Sequence, residues 1–345
     1  MIRLDKPLLI IGLGSIGKKH LAWLDEFNFT VYIIDPNLKI KEYLSNSKLK
    51  SQYFYLNNIE EFRKMRVKPY VSIISNLGPQ HSQSFKDVIG LGCKKILIEK
   101  PITSKIKDLR EIINLTNKYK VNLRTNYPWI NSGFVDKFEK IRIKNNLGSV
   151  ENILVYGGAK CIITVGIHYL AIAMKIYGST PINCWSKLKS DSINPRSPKL
   201  KYYQGVAFWE FKNNKTLTIN FSNKSRNQAY MVINFQNGQA TLKGDILTIN
   251  KISNAKLNTP LKPTQTFFAD ETKVETNLFT DSEGTVNVYR ELFNSGYSTK
   301  YREEARIMDS IFGILISNKD KSQLVKLPLN TDLIKKFNDH EWLIS

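Results

Sequence analysis

A glycine-rich turn near the start of the chain has the spacing of a phosphate-binding loop. Gly12, Gly14 and Gly17 form a GxGxxG pattern between an apolar run and an amphipathic stretch, where a strand would lead into a helix. The first glycine allows the tight turn, the second lets a pyrophosphate approach the backbone, and the third lets the helix pack closely on the sheet. The amide groups of Ser15 and Ile16 would then face the phosphates at the N-terminus of that helix.

An acidic residue stands where the second strand is predicted to end. Asp35 lies 18 residues beyond Gly17, at a position from which a carboxylate can hydrogen-bond an adenosine ribose. The same carboxylate would repel a 2′-phosphate, and Pro36 and Asn37 supply no arginine to attract one. The pattern therefore predicts a dinucleotide cofactor and favours NAD over NADP.

A lysine and a histidine are the candidates for proton transfer. Lys100 lies in the segment Glu99-Lys100-Pro101, directly after the fifth predicted strand, and ligands bind at such strand ends in doubly wound sheets. A lysine there could exchange a proton with an alcohol or carbonyl oxygen. His168 lies on a predicted helix near the predicted domain junction. From spacing alone, an ordinary solvated lysine and a structural histidine remain alternatives.

Three other histidines complete the set of four. His81 starts the helix after the fourth predicted strand, and we expect it to lie near the cofactor. His20, on the first predicted helix, and His340, near the C-terminus, are expected to be structural or exposed.

Short apolar runs alternate with helical patterns over the first 125 residues. The runs are rich in β-branched residues and are mostly apolar on both faces, as buried parallel strands are. Stripes such as Ile106, Leu109 and Ile112 indicate amphipathic helices between the runs. The alternation predicts a doubly wound parallel sheet in an α/β domain. The six predicted strands are 8–14, 30–35, 52–56, 71–76, 94–100 and 121–126.

The pattern changes after about residue 126 and indicates an α+β domain. After Pro181 the apolar residues alternate with period two, as in TLTINF at 216–221. Such alternation is typical of an antiparallel sheet with one packed face and one solvated face. The other predicted elements of this part are a strand over 150–156 and helices over 132–146, 162–177, 284–295 and 303–317.

These patterns predict two domains. Residues 1–125 would bind the cofactor, and residues 126–345 would bind the substrate and hold the oligomer together. We expect a homo-oligomer, a dimer or a tetramer, because the free face of an antiparallel sheet can pair with a copy of itself.

The charge balance is strongly basic. The chain has 345 residues, with 51 lysines and arginines against 30 acidic residues, which gives a formal charge of +21. Lysine predominates, few arginines are present for bidentate reading of bases or phosphates, and no helix-turn-helix, zinc-finger or RNP pattern occurs. The composition favours a lysine-rich surface or a site for anionic small molecules over a nucleic-acid interface.

Other sequence features narrow the class of protein further. No apolar run approaches the ~18 residues needed to cross a bilayer, and the N-terminal stretch offers no small-residue cleavage site of a signal peptide. The three cysteines, Cys93, Cys161 and Cys184, form no CxxC pair, which excludes a disulfide framework and a thiolate zinc site. We expect a soluble cytoplasmic protein with no bound metal and no membrane partner.

The order of these motifs resembles that of the Gfo/Idh/MocA (glucose–fructose oxidoreductase / inositol dehydrogenase) family over nearly the whole chain. GLGSIGKKH at 12–20 is similar to the family's dinucleotide loop with its trailing histidine, and ILIEKP at 96–101 matches its Glu-Lys-Pro signature. SNLGPQH at 75–81 takes the place of a Thr-Pro-x-x-x-His loop and keeps the histidine. NYPW at 126–129 stands where relatives have Asn-Tyr-Arg, and GGAKCIITVGIH at 157–168 resembles the helix that carries Asp-x-x-x-His.

The resemblance implies a fold, a reaction and roles for individual residues. The fold is an N-terminal Rossmann domain followed by a domain on a large, mostly antiparallel sheet, with the active site in the cleft between them. The reaction is hydride transfer between NAD(P) and the carbinol or ketone of a sugar or sugar nucleotide. Lys100 and His168 are implied to be catalytic and to handle the proton of the substrate oxygen.

The spacing and the resemblance together indicate two sets of contact residues. The cofactor set comprises Gly12, Gly14, Ser15, Ile16, Gly17, Asp35, Asn76, Leu77, His81, Glu99 and Lys100. The substrate set comprises Lys100, Asn126, Tyr127, Trp129, Lys160, Thr164 and His168.

One departure from the family pattern bears on the chemistry. The family's aspartate one turn before the histidine is Thr164 here, and an aspartate often found three residues after it is Ala171. A carboxylate would orient the imidazole and support its protonated form, whereas threonine adds no charge. His168 is therefore expected to be a weaker base, with more of the acid–base work on Lys100. A non-catalytic dinucleotide-binding sensor or scaffold, and an imine-type reductase on the same fold, remain alternatives.

Overall fold

The first part of the chain forms six short strands, namely β1 (Pro7–Ile11), β2 (Thr30–Ile34), β3 (Tyr53–Leu56), β4 (Val71–Ile74), β5 (Lys95–Ile98) and β6 (Asn122–Thr125). They make a sheet in the order β3-β2-β1-β4-β5-β6, in which every neighbouring pair is parallel. The order reverses between β1 and β4, which is the switch point of a doubly wound sheet. The predicted fold class of this domain is confirmed.

The computed structural model describes residues 6–27, 29–244, 246–251, 270–275 and 281–344. Residues 1–5, on which the expectation of no signal peptide partly rests, lie outside these ranges. The first strand is shorter than the predicted run 8–14, because Gly12 turns the backbone at a φ of +90°.

Five helices connect the strands of the first sheet: α1 (Ser15–Leu24), α2 (Lys39–Ser45), α3 (Ile59–Lys64), α4 (His81–Gly90) and α5 (Ile106–Tyr119). The last of them shows how the sequence sets a helix. Ile106, Leu109 and Ile112 are buried on one face, as the spacing of three predicts. The helix ends at Lys120, whose left-handed backbone stops the α-helical hydrogen bonding.

A second sheet contains nine strands among the described residues: β7 (Val150–Tyr156), β8 (Asn183–Ile193), β9 (Lys201–Glu210), β10 (Thr216–Phe221), β11 (Tyr230–Phe235), β12 (Gly238–Lys243), β13 (Ile246–Lys251), β14 (Asp270–Glu275) and β15 (Val325–Lys326). Their order is β14-β13-β12-β11-β7-β10-β9-β8-β15. All neighbouring pairs are antiparallel except β7 and β10. The prediction of a mostly antiparallel sheet is confirmed.

The helices of the later part are α6 (Pro128–Asn131), α7 (Phe134–Lys144), α8 (Ile167–Tyr177), α9 (Asp281–Asn294), α10 (Tyr301–Lys319) and α11 (Thr331–Phe337). The predicted helix over 162–177 differs in its first turn, which is a π-helix over Ile162–Gly166. There the amide of Gly166 bonds the carbonyl of Cys161, five residues back, at 3.3 Å. Across the described ranges, no helix combines the length and the apolar character needed to span a membrane.

The described residues fall into two compact units, and neither is one continuous stretch of chain. Unit 1 takes Met1–Asn126, Thr285–Met308 and Lys335–Ser345, and unit 2 takes Tyr127–Gly284 and Asp309–Ile334. The predicted domains, 1–125 and 126–345, differ from these units. They assign Thr285–Met308 and Lys335–Ser345, the two segments that return to unit 1, to the second domain. The first of these segments returns because α9 is amphipathic: Val288, Tyr289 and Leu292 are fully buried in the core of the first sheet.

Candidate functional site

The glycine-rich turn has three glycines with different surroundings. A Cβ on Gly12 would lie 2.5 Å from the amide nitrogen of Asn76, and a Cβ on Gly17 would lie 2.2 Å from the carbonyl oxygen of Gly12. A Cβ on Gly14 would meet no described atom within 4 Å. Gly12 and Gly17 are therefore required by packing within the protein, whereas Gly14 leaves open space beside the turn.

The N-terminus of α1 faces this open space with its amide groups. Gly14 precedes the helix, and both Gly14 and Ser15 are exposed while Ile16 is half-buried. Of the described side chains, none caps the helix, and its first turn holds no acidic residue. The unsatisfied amides and the positive end of the helix dipole are suited to an anion such as a pyrophosphate.

The Asp35 carboxylate lies beside the glycine turn, just after β2. Its Oδ2 accepts a hydrogen bond from the Leu13 amide at 2.7 Å, and its Oδ1 accepts one from the Asn37 amide at 2.9 Å. Each carboxylate oxygen keeps a further lone pair. The side chain can therefore brace the turn and still accept hydrogen bonds from ribose hydroxyls.

The loop after β4 closes the other side of the turn. Ser75 Oγ donates to the carbonyl of Gly12 at 2.7 Å, and Asn76 Nδ2 donates to Ser84 Oγ at 2.9 Å. The Oδ1 of Asn76 is buried and has no hydrogen-bond partner among the described residues. Buried acceptors are normally satisfied, so this oxygen fits a donor supplied by a ligand. Leu77, next in the chain, is exposed.

His81 is buried and its ring nitrogens face backbone carbonyls. Nε2 lies 3.0 Å from the Asn76 oxygen, and Nδ1 lies 3.1 Å from the oxygens of Pro101 and Ile102. Burial lowers the pKa of His81, although those carbonyls and Glu99 oppose the shift. The imidazole thus lies between the loop after β4 and the loop after β5, and its contact with a cofactor stays a prediction.

Lys100 follows β5 and is half-buried. Its amide donates to Oε2 of Glu99 at 3.2 Å. The other oxygen of Glu99, Oε1, lies 2.9 Å from Nε2 of His20 and 2.6 Å from Nδ2 of Asn126. Glu99 was predicted as a cofactor contact, but its side chain is only 5% exposed and both oxygens are held by donors of unit 1.

The charge state of Glu99 follows from these contacts. Burial by itself would raise the pKa of the carboxyl group. The hydrogen bond and charge of His20, the charge of Lys100 and the hydrogen bond of Asn126 outweigh burial, and the pKa of Glu99 lies below its usual value. Glu99 is therefore an ionised carboxylate at neutral pH.

Two further residues of unit 1 extend this arrangement. His20 Nδ1 contacts the hydroxyl of Tyr289, and Thr285 Oγ1 donates to Oδ1 of Asn126 at 3.2 Å. Both residues lie on α9 and are fully buried. The sequence predicted His20 only as structural or exposed and did not single out Thr285 or Tyr289. His20 shares the buried face of α1 with Gly17 and Leu21, but no local pattern points to α9.

Two of the substrate candidates of unit 2 lie beside His168, which is 6% exposed on α8. The ring of Trp129 lies 4.6 Å from the imidazole at an angle of 30°, and the ring of Tyr127 lies 6.3 Å away, edge to face. Thr164 is buried in the π-helical turn, whereas Lys160 is exposed on the loop before it. His168 is thus packed against aromatic rings.

The predicted site residues divide between the units. Unit 1 brings together the glycine turn, Asp35, Asn76 and Lys100 at the carboxyl ends of parallel strands, where such sheets bind ligands. Unit 2 holds Tyr127, Trp129, Lys160, Thr164 and His168. Asn126, predicted as a substrate contact, is 2% exposed, and its amide is used by Glu99 and Thr285 within unit 1.

Comparisons with known proteins agree with this fold. Residues 7–127 match the family GFO_IDH_MocA, described as an oxidoreductase family with an NAD-binding Rossmann fold. No curated protein matches the chain significantly by sequence.

Several solved structures have the same fold at low sequence identity, which supports the fold alone. An NAD-binding oxidoreductase from Klebsiella pneumoniae has a TM-score of 0.71 at 11% identity, over 95% of this chain and 100% of that chain. The transcriptional regulator Gal80p from Kluyveromyces lactis has a TM-score of 0.69 at 12% identity, over 94% and 91%. UDP-N-acetylglucosamine 3-dehydrogenase from Acidithiobacillus ferrooxidans has a TM-score of 0.67 at 12% identity, over 93% and 99%. Over residues 7–127, which contain all six strands of the first sheet, the chain is similar to the GFO_IDH_MocA oxidoreductase family.

Proposed function

We propose that the protein is an NAD-dependent oxidoreductase that transfers a hydride between the nicotinamide and the carbinol or ketone carbon of a sugar or sugar nucleotide. The observation that carries the proposal is the setting of Lys100. It follows a strand of the cofactor sheet, in the same unit as the glycine turn, and its amide is bonded to the buried carboxylate of Glu99. A half-buried lysine at a strand end suits proton transfer at a substrate oxygen.

The cofactor would be held by groups that fit it. The amides of Ser15 and Ile16 suit the pyrophosphate, Asp35 suits the adenosine ribose, and Asn76 offers a buried acceptor. The nicotinamide would supply the hydride acceptor or donor. Because Asp35 would repel a 2′-phosphate, we expect tighter binding of NADH than of NADPH, and Asp35→Ser should narrow that difference in a fluorescence titration.

The proton-handling roles go to Lys100 and His168. In alcohol oxidation a neutral Lys100 would accept the hydroxyl proton as the carbonyl forms, and in ketone reduction its ammonium would return that proton. His168 would assist, with the ring of Trp129 at 4.6 Å orienting the imidazole where relatives have a carboxylate. Tyr127, Lys160 and Thr164 are proposed substrate contacts on the same unit.

The exposed cations of unit 2 favour a phosphorylated substrate. One end of the second sheet is formed by residues 157–160, 194–201, 222–229 and 243–244, which we call the basic edge. These segments hold no acidic residue and are joined by bonds such as Ser222 N to Gly158 O at 3.3 Å. Their cations are all exposed: Lys160, Arg196, Lys199, Lys201, Lys224, Arg226 and Lys243. Such an edge would attract the diphosphate of a sugar nucleotide.

The closest competing function is that of a non-catalytic, dinucleotide-binding regulator. Thr164, which stands in place of the family aspartate, favours it, and a transcriptional regulator is among the proteins of similar fold. The presence of both Lys100 and His168 favours the enzyme.

Nicotinamide absorbance, followed in both directions over a panel of sugars and sugar nucleotides, separates the two functions. An enzyme turns over at least one substrate, and Lys100→Ala loses that turnover. A regulator binds NADH tightly and turns over none of the panel. For an enzyme, the substrate that reacts also identifies the substrate class.

We further propose a homo-oligomer and a cytoplasmic location. One face of the second sheet carries a row of directly paired, partly exposed residues that includes Trp185, Phe208, Thr218 and Leu154. A mainly apolar row of this kind can pair with a copy of itself. Light scattering on serially diluted protein measures the molar mass and so tests the proposed homo-oligomer.

The proposed cytoplasmic location is supported by the three cysteines, which are free and buried. Free thiols suit a reducing compartment.

A further inference from the structure

A chain of buried polar groups ends at the main chain of Lys100. Glu99 Oε2 accepts the Lys100 amide, while Glu99 Oε1 is contacted by His20 and Asn126. His20 is in turn contacted by Tyr289. Glu99 and Asn126 are 5% and 2% exposed, and His20 and Tyr289 are fully buried. Each member is therefore removed from solvent and relies on the others for its hydrogen bonds.

The direction of the hydrogen bonds follows from which groups can donate. An ionised carboxylate only accepts, so His20 Nε2 must carry the proton that faces Glu99. Burial, and next the charge of Glu99, raises the pKa of Tyr289 well above its usual value, so Tyr289 keeps its phenolic proton. With Nε2 as the donor to Glu99, Nδ1 of His20 can accept a hydrogen bond from the hydroxyl of Tyr289. One tautomer of His20 satisfies both contacts.

This order of donors and acceptors holds the carboxylate in one orientation. If His20 Nε2 and Asn126 Nδ2 both occupy Oε1, then Oε2 is left for the amide of Lys100. An apolar cluster of the same volume would fill the core but would not select an orientation for the Glu99 side chain. The arrangement points to a function in placing the residue that follows Glu99.

We propose that His20, Asn126 and Tyr289 are positioning residues, which orient the Glu99 carboxylate and thereby fix the backbone of Lys100. None of the three is assigned to contact the reacting atoms. The inference rests on the proposed role of Lys100. It means that α9, which lies more than 150 residues further along the chain, helps to position Lys100 through Tyr289.

The direct measurement is hydrogen exchange at the Lys100 amide in the protein without ligand. The glutamates are labelled with 13C at the carbonyl and the lysines with 15N at the amide. An NMR spectrum that correlates each amide with the preceding carbonyl then shows only Glu-Lys pairs, of which the chain has two, Glu99-Lys100 and Glu139-Lys140. Lys140 lies in α7 of unit 2 and serves as an internal reference. The measurement needs neither substrate nor turnover.

The variants separate positioning from simple stability. His20→Leu removes both ring contacts, whereas in His20→Gln the side-chain amide can still donate to Glu99. Leu21→Ala opens a cavity on the same helix without touching the polar groups and is the control for lost stability. Tyr289→Phe is nearly isosteric and carries the test if His20→Leu does not fold.

We expect exchange at the Lys100 amide to be about 10-fold faster in His20→Leu and about 3-fold faster in Tyr289→Phe, relative to the Lys140 signal. His20→Gln should stay near the wild-type rate. With a substrate in hand, kcat should fall about 10-fold in His20→Leu while the KM for NADH stays within about twofold, because only the placement of Lys100 changes.

An unchanged Lys100 signal in His20→Leu and Tyr289→Phe, or an equal change in Leu21→Ala, would overturn the proposal. The test does not depend on the proposed function. If the wild type turns over no substrate but the exchange pattern is as expected, the network still positions the segment and the proposed reaction fails. If turnover is present and the exchange pattern is absent, the positioning role fails alone.

Discussion

Lys100 and its neighbours show how much a short motif reveals at the scale of residues. The positions of Lys100, Asp35 and the glycines follow from local spacing, because a strand end and a tight turn are set by a few adjacent residues. The contacts of Glu99 do not follow from local spacing. Its partner His20 lies 79 residues away, and the contact between His20 and Tyr289 spans 269 residues. Such contacts depend on packing across the whole unit.

Lys100→Ala and Lys100→Arg test the proton-transfer role together. Arginine keeps the positive charge but does not give up its proton in proteins. We therefore expect kcat to fall about 100-fold or more in both variants, with a smaller change in the KM for NADH. Steady-state kinetics at neutral pH measure both constants. Near wild-type turnover in Lys100→Arg would mean that Lys100 supplies charge and not proton transfer.

At the scale of elements, the sequence predicts regular structure better than its interruptions. Apolar runs and period-two alternation identify the strands of both sheets because burial patterns repeat within each element. The π-helical turn over Ile162–Gly166 has no such signature. It depends on one shifted hydrogen bond, from Gly166 to Cys161, at a place where a Cβ on Gly166 would lie 3.3 Å from Ile219. The position of Thr164 in that turn could not be predicted from helical spacing.

Gly14→Ala and Gly17→Ala form a matched pair for the turn before α1. The new methyl group of Gly14→Ala would lie in open space, so we expect an unchanged melting temperature but NADH binding weakened about 10-fold. The methyl group of Gly17→Ala would lie 2.2 Å from the Gly12 carbonyl, and the forced shift should cost about 1–3 kcal/mol of stability as well as binding. Thermal unfolding and NADH fluorescence measure the two effects. Equal NADH binding in Gly14→Ala and the wild type would contradict a pyrophosphate at this turn.

At the scale of the whole molecule, the chain leaves its first unit at Asn126 and later returns to it. The sequence predicts both sheets but not this return, because the amphipathic face of α9 would suit the core of either domain. The distribution of charge is a property of the same scale. The excess of lysine is visible in the sequence, but only the fold brings four separate segments together as the basic edge.

A charge-reversed pair tests the basic edge. Lys224→Glu with Arg226→Glu should raise the KM for a sugar nucleotide about 10-fold at low salt and leave the KM for a neutral sugar unchanged. The cations attract only a charged substrate, and salt screens that attraction. Lys212→Glu with Lys215→Glu makes the same charge change in the turn between β9 and β10, at the opposite end of the sheet. Equal effects of the two pairs, or equal effects on both substrates, would rule out a phosphate site at the edge.

Buried tyrosines predict how stability depends on alkaline pH. Burial raises the pKa of Tyr169 and of Tyr203 to about 12, above the usual value of 10.0. As the pH rises, the unfolded chain loses the phenolic protons at a lower pH than the folded protein does. The contribution of the two protonated tyrosines to stability is therefore complete below pH 10 and is lost as the pH rises toward 12. At pH 11 the expected loss is about 1 kcal/mol for each tyrosine.

Urea unfolding at pH 8, 10 and 11 measures this loss. In Tyr169→Phe, the loss of unfolding free energy between pH 8 and pH 11 should be smaller by the contribution of one tyrosine. A free energy of unfolding that stays constant up to pH 11 would contradict the raised pKa values.

The central claim, that this chain is an enzyme whose Lys100 serves a bound nicotinamide, is tested most directly by isotope transfer. The protein is mixed in excess with NADH in which both hydrogens at C4 of the nicotinamide are deuterium, together with each candidate ketose or keto-sugar nucleotide. The product is examined by mass spectrometry after a single turnover. We expect one deuterium on the new carbinol carbon with the wild type and none with Lys100→Ala over the same time. NADH that stays bound while no candidate gains deuterium would contradict the claim and identify the chain as a dinucleotide-binding regulator.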